Sequence, residues 1–83
     1  MSGTFFLEVL RPSEKVYEGN VISFVAKALD GELGVLSDHA PLLTVLGKGV
    51  MKIRPKDGPE LELDIPSGIM KIENNLAQVF LPR

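Results

Sequence analysis

Turn-forming residues interrupt this chain at short, regular intervals, and this spacing limits the secondary structure that it can form. Prolines, glycines and asparagines separate apolar segments roughly every 8–12 residues. No window of about eleven residues or more repeats its apolar residues with the 3.6-residue period of an amphipathic helix. The pattern therefore predicts an all-β protein, a two-sheet β-sandwich of about ten short, mostly antiparallel strands.

The predicted strands alternate apolar and polar residues or are rich in β-branched and aromatic ones. They are residues 4–10, 15–18, 21–28, 50–54, 60–65, 69–72 and 76–81. Between them, Gly19-Asn20, Asp57-Gly58 and Asn74-Asn75 are expected to form turns. Residues 42–46 are apolar except for one threonine and are expected to be buried.

Length and composition favour one domain, residues 1–83, with a single core. A net charge of −2, with scattered Lys and Arg, argues against nucleic acid as a partner. The chain has no Cys and one His, too few ligands for a closed zinc site, so we expect no metal. No apolar run approaches the roughly 20 residues that span a bilayer, and no signal or transit peptide is recognisable. The sequence predicts a soluble protein without direct membrane insertion.

Residues 30–46 contain the most distinctive local pattern. Gly31 and Gly34 can each adopt positive φ, so we expect a tight bend that holds Glu32 and Leu33 outward. The alternative is a solvated hairpin tip without a partner. The spacing of the two glycines lacks the lysine and the helix of a phosphate-binding loop, which argues against a nucleotide site.

Ser37-Asp38-His39 follows as a polar loop and contains three residue types of hydrolytic triads. Three consecutive loop residues rarely converge on one reacting atom, so we expect no catalysis here. Two interpretations of His39 remain open. It is either a structural loop histidine or a contact to a partner.

Residues 30–46 read DGELGVLSDHAPLLTVL and resemble the N-terminal domain of the epsilon subunit of F-type ATP synthase, called delta in mitochondria. That family has D-G-E-L-G-V-L-P-G-H-A-P-L-L-T here, and the match fails only at Ser37-Asp38. Residues 47–54 and 69–75 resemble two further family segments, K-P-G-V-L-R-I-R and F-L-E-V-x-N-N. The chain departs from the family at residues 66–68 and at Pro82.

The resemblance implies a ten-stranded β-sandwich, here without the helical hairpin that normally follows it. It implies a non-catalytic, cofactor-free subunit of the central stalk that links the gamma subunit to the membrane c-ring, and touches other F1 subunits indirectly. The expected location is the cytoplasmic face of an energy-transducing membrane, most simply the bacterial plasma membrane. The residues expected to contact the ring are Gly31, Glu32 and Leu33. His39 is expected to contact gamma, and Arg11, which in the family lies at a strand end near the same side, is a second candidate.

A rival interpretation comes from two Met-Lys pairs. Lys52 and Lys71 each follow a methionine and precede an isoleucine, which resembles the biotin-accepting hairpin of carrier domains. A biotin- or lipoyl-type carrier needs its lysine at an exposed hairpin tip, whereas both lysines fall inside predicted strands. An unrelated β-sandwich interaction module is the remaining alternative.

Overall fold

A computed structural model describes residues 3–83 and confirms the all-β prediction. It contains eight strands where about ten were expected, and no helix occurs within residues 3–83. The strands are β1 (Phe5–Arg11), β2 (Glu14–Ala28), β3 (Gly31–Leu36), β4 (Leu42–Leu46), β5 (Gly49–Pro55), β6 (Leu61–Ile65), β7 (Gly68–Glu73) and β8 (Leu76–Phe80).

Local turn chemistry explains the β5–β6 and β7–β8 connections. Gly58 has a φ of +101° in the β5–β6 connection, and Asn74 and Asn75 have φ values of +52° and +61° between β7 and β8. Asparagine tolerates this left-handed conformation better than other residues with side chains, which makes it suitable for a two-residue hairpin turn. Both predicted turns are confirmed.

The predicted turn at Gly19-Asn20 was wrong, because β2 continues through these residues. Asn20 pairs with Phe6 and Gly19 with Leu7 in the antiparallel β1–β2 ladder. The hydroxyl of Tyr17 would lie 3.4 Å from a Cβ at Gly19, so the tyrosine covers the position that lacks a side chain. Pairing with a neighbouring strand outweighs the local turn preference, and two predicted strands become one of 15 residues.

The eight strands form one continuous sheet that folds into two layers sharing β2. In the first layer β1, β8, β7 and β4 lie side by side, and β1 also pairs with the first half of β2. The Ala28–Leu46 pairing returns β4 to the end of β2 and closes this layer into a ring. In the second layer β3 and β5 flank the last half of β2, and β6 lies outside β5. All of the strand pairings described here are antiparallel except β1–β8, which agrees with the prediction of mostly antiparallel strands.

The core lies between the two layers and is wholly apolar. Every buried side chain within residues 3–83 is hydrophobic. The rings of Phe5 and Phe24, one from each layer, pack with their centroids 5.9 Å apart. The largest side chains with less than 2% exposure are Phe24, Leu7, Leu46, Met51, Ile53 and Met70. Such close packing makes the domain stiff.

The β2–β3 hairpin differs from the tight bend that the sequence predicted. Gly31 has a φ of +125° and follows the two-residue turn, as expected. Gly34, however, is not among the positive-φ glycines and pairs with Val25 inside β3. Glu32 is exposed, but Leu33 is half-buried and packs against the core. The prediction of an outward-held Leu33 was wrong, because β2 provides a regular pairing partner for the whole segment.

Two alanine substitutions test this assignment. Alanine at Gly31 would have to hold a φ that side chains rarely adopt, although no atom lies within 4 Å of its Cβ. We expect Gly31→Ala to lower the free energy of unfolding by about 1–3 kcal/mol, measured by urea denaturation.

Gly34→Ala is the matched control. Its Cβ also meets open space, and its backbone is that of a strand. We expect its stability to stay within about 0.5 kcal/mol of the parent or to rise slightly, because alanine loses less backbone entropy on folding. Equal losses for the two variants would contradict the assigned conformations.

Candidate functional site

The loop between β3 and β4 holds His39 in a defined orientation. The backbone N–H of Asp38, which has a φ of +61°, donates to Oδ1 of Asn75 over 2.6 Å. His39 is half-buried, and its Nδ1 lies 2.7 Å from the carbonyl oxygen of Ala40. A carbonyl oxygen only accepts hydrogen bonds, so Nδ1 carries the hydrogen in this contact. In the neutral ring, Nε2 is then left as an acceptor.

This geometry does not match a catalytic triad. The orienting partner of the His39 ring is a backbone carbonyl and not a carboxylate. Within residues 3–83, no group of three or more His, Cys, Asp or Glu side chains is arranged to hold a metal ion. What the loop offers is a fixed imidazole at the surface, which suits a directional contact.

Arg11 lies at the end of β1, and two ion pairs lie at the connection between β1 and β2. Its Nη1 is 2.9 Å from Oε2 of Glu14, and Nζ of Lys15 is 2.6 Å from Oε1 of Glu18. The hydrogen bond and the charge of Glu18 raise the pKa of Lys15, and partial burial raises the pKa of Tyr17. Arg11 therefore already has a partner within the chain, in an exposed pair that contributes little to stability.

The structure separates the predicted site residues. Arg11 ends β1, whereas the His39 loop bonds to Asn75, immediately before β8. Because β1 and β8 run parallel, the two sites lie at opposite ends of these strands, about 20 Å apart. Arg11 and His39 therefore do not form one local site, and the contact of each with gamma stays a prediction. Gly31, Glu32 and Leu33 stay together on β3.

The sequence did not reveal a row of five apolar side chains, of which four are exposed and one, Leu10, is half-buried. Leu10, Phe80, Ile69 and Val45 are successive partners across β1, β8, β7 and β4, on the outer face of the first layer. Phe80, Ile69 and Val45 are 41%, 50% and 46% exposed. Leu43 lies two residues before Val45 on the same face of β4 and is 71% exposed. Together these five side chains form what we call the apolar row.

The apolar row corrects the prediction that residues 42–46 are buried. Leu46 is buried and Leu42 is half-buried, whereas Leu43 and Val45 face outward. A uniformly apolar strand normally has a protein layer on both faces. The excess of apolar residues over strict alternation was the available signal, and it marks a strand with one face left open.

The outer face of the second layer has a different chemistry. Glu32 on β3 lies opposite Lys27, and Lys52 on β5 lies opposite Glu62 on β6. All four side chains are exposed. Charges of both signs are therefore interspersed on this face, alongside the exposed side chains of Leu36 and Val50.

The two candidate carrier lysines lie in the middle of strands. Lys52 is flanked by buried Met51 and Ile53 in β5, and Lys71 has equivalent neighbours in β7. Neither occupies a hairpin tip, where a modifying enzyme could reach it. This placement does not favour the carrier interpretation.

Comparison with known proteins identifies the fold and the family. The family described as "ATP synthase, Delta/Epsilon chain, beta-sandwich domain" matches residues 4–82. The ATP synthase epsilon chain of Caldicellulosiruptor bescii is 36% identical over 75 residues, which cover 90% of this chain and 54% of the relative. That of a Synechococcus species is 35% identical over 80 residues, covering 96% and 58%. The chain thus spans a little over half the length of these curated relatives.

Two solved structures share the fold. A chain of the Euglena gracilis mitochondrial ATP synthase, described with OSCP, F1 and c-ring, superposes with a TM-score of 0.89 at 18% identity. The match covers 98% of this chain and 52% of that one. A chain of the Tetrahymena thermophila central stalk and c-ring gives 0.78 at 18% identity, covering 94% and 63%. With its fold and sequence in agreement, this chain belongs to the family of ATP synthase delta/epsilon β-sandwich domains.

Proposed function

We propose that this protein is a non-catalytic subunit of the ATP synthase central stalk that couples gamma to the membrane c-ring. Family membership supports the proposal, as does the likeness to chains solved with F1, the central stalk and the c-ring. The subunit would lie on the cytoplasmic face of a bacterial energy-transducing membrane, held there by its partners. It needs no cofactor, since a stiff body with two binding faces performs the coupling.

The apolar row is the observation that carries this proposal. Its five side chains present roughly 400 Å² of apolar surface, the size of the largest apolar patch on a typical monomer, and such patches are often functional. Burial of that area contributes about 10 kcal/mol before the costs of association are subtracted. We assign this face to gamma, because a permanent partner in a rotating assembly requires the larger apolar contribution.

His39 and Arg11 fit at the two ends of the same gamma-binding face. The His39 loop leads directly into β4, which contributes Leu43 and Val45, and Arg11 follows Leu10 at the other end. Gamma would therefore cover the first layer along the length of its strands. Polar groups at the ends of an apolar contact fix orientation more than they add affinity.

The ring would meet the second layer at Gly31, Glu32 and Leu33. Glu32 is exposed on β3, next to the positive-φ glycine of the hairpin. Leu33 packs against the core and so anchors β3, while the exposed part of its side chain adds to the contact with the ring. The two partners then bind different layers of one stiff core, so torque passes from one to the other through packed side chains.

Substitution of the apolar row tests the gamma assignment. We expect Ile69→Ser and Phe80→Ser to weaken binding to purified gamma by about tenfold or more each, because each removes a partly exposed apolar side chain from the centre of the contact. Isothermal titration calorimetry measures the affinity, and thermal unfolding verifies the fold.

Leu36→Ser is the control for this experiment. Leu36 is 64% exposed on β3, opposite Ser23 in the second layer, so it lies outside the proposed gamma face. We expect its affinity for gamma to equal that of the parent. An equal loss for Leu36→Ser, or full binding by Phe80→Ser, would reject the assignment.

Glu32 makes a separate prediction for the ring face. Exposed interfacial charges act mainly on association rate and contribute about 0.2–1 kcal/mol. Glu32→Gln should slow association of the gamma-bound protein with detergent-solubilised c-ring about two- to fivefold at low salt, measured by surface plasmon resonance. The difference should fade at about 1 M salt. Glu62→Gln, an exposed strand carboxylate on β6, should bind like the parent, and a slower rate for it too would mean a general charge effect.

A further inference from the structure

Asn75 joins three segments that are distant in sequence. Its backbone oxygen accepts the N–H of Phe6 over 3.1 Å, and its side-chain Nδ2 donates to the carbonyl oxygen of Thr4 over 3.3 Å. Its Oδ1 accepts the N–H of Asp38 over 2.6 Å. The β7–β8 turn therefore holds both the start of β1 and the His39 loop.

The bond to Asp38 supports an uncommon backbone conformation. Asp38 has a φ of +61°, in the left-handed region that few residues with side chains occupy. Such conformations persist where surrounding contacts enforce them. The next residue is His39, so a change in the backbone conformation of Asp38 would move the imidazole.

We propose that Asn75 is the positioning residue of His39. Its side chain keeps the loop in the conformation in which Nδ1 of His39 donates to the Ala40 carbonyl. Nε2 then faces a partner as a hydrogen-bond acceptor and takes an N–H or O–H donor. That this partner is gamma rests on the proposed function, whereas the effect of Asn75 on the ring of His39 does not.

The chain offers a close pair of variants for the test. Asn75→Gly preserves the freedom to adopt positive φ and removes the carboxamide. Asn74→Gly changes the neighbouring turn residue, which has a φ of +52° and an exposed side chain. Asn75→Asp retains an oxygen that accepts the Asp38 N–H but loses the donor to Thr4, so it serves as the rescue variant.

The first measurement is nitrogen NMR of the imidazole in mildly alkaline solution. His39 is the single histidine of the chain, so its ring signals need no assignment. We expect the Nδ1–H tautomer in the parent, Asn74→Gly and Asn75→Asp. In Asn75→Gly we expect a mixture of tautomers, together with exchange of the Asp38 amide hydrogen that is about tenfold faster. A parent-like tautomer and parent-like exchange in Asn75→Gly would overturn the proposal.

The second measurement is binding to purified gamma. We expect Asn75→Gly to bind about fivefold more weakly, with parent-like affinity for Asn74→Gly and Asn75→Asp. Core amide exchange in each variant verifies that the sandwich is intact. Altered His39 signals with unchanged gamma affinity would reject the role of this positioning in partner binding. Absence of gamma binding by the parent would reject the proposed function and leave the NMR result to decide the role of Asn75.

Discussion

Strand β2 is the element on which the rest of the structure depends. It pairs with β1, β3, β4 and β5, so its backbone groups are satisfied by partners in both layers. Because its two halves belong to different layers, the layers cannot slide or separate without breaking main-chain hydrogen bonds. A sandwich joined only by side-chain packing would lack this covalent and hydrogen-bonded link. The stiffness on which the proposed coupling depends therefore originates in one long strand.

The two outer faces differ in chemistry, and this difference suits two partners of different kinds. The first layer exposes Leu43, Ile69 and Phe80 and favours a lasting contact that buries apolar surface. The second layer exposes charges of both signs, which is typical of contacts that remain hydrated and form quickly. This combination fits the proposed arrangement, in which the first layer binds gamma and the second layer meets the c-ring.

The sequence predicted the turns that depend on local backbone preferences. It did not predict the features that depend on pairing between strands distant in the chain. The turns at Asp57-Gly58 and Asn74-Asn75 follow from the φ preferences of those residues, and they were located correctly. Gly34 was misinterpreted because a glycine inside a strand looks the same in sequence as a glycine at a bend. The largely apolar residues 42–46 gave part of the signal for the apolar row, but its full extent depends on the register of four strands, which only the folded sheet shows. The hydrogen bond between Asn75 and Asp38 joins residues 37 positions apart, so no local sequence pattern indicates it.

The parallel pairing of β1 with β8 has a consequence for biosynthesis. Phe6 lies beside Leu76, so the first strand acquires this neighbour only after nearly all of the described chain has been translated. Until then, one edge of β1 and the apolar side chains beneath it remain uncovered. Pairings between such distant segments slow folding, since the entropy of closing a long loop is lost before the contacts form. Until β8 is translated, the N-terminal hairpin therefore keeps an unpaired strand edge, a feature that promotes aggregation of partly folded chains.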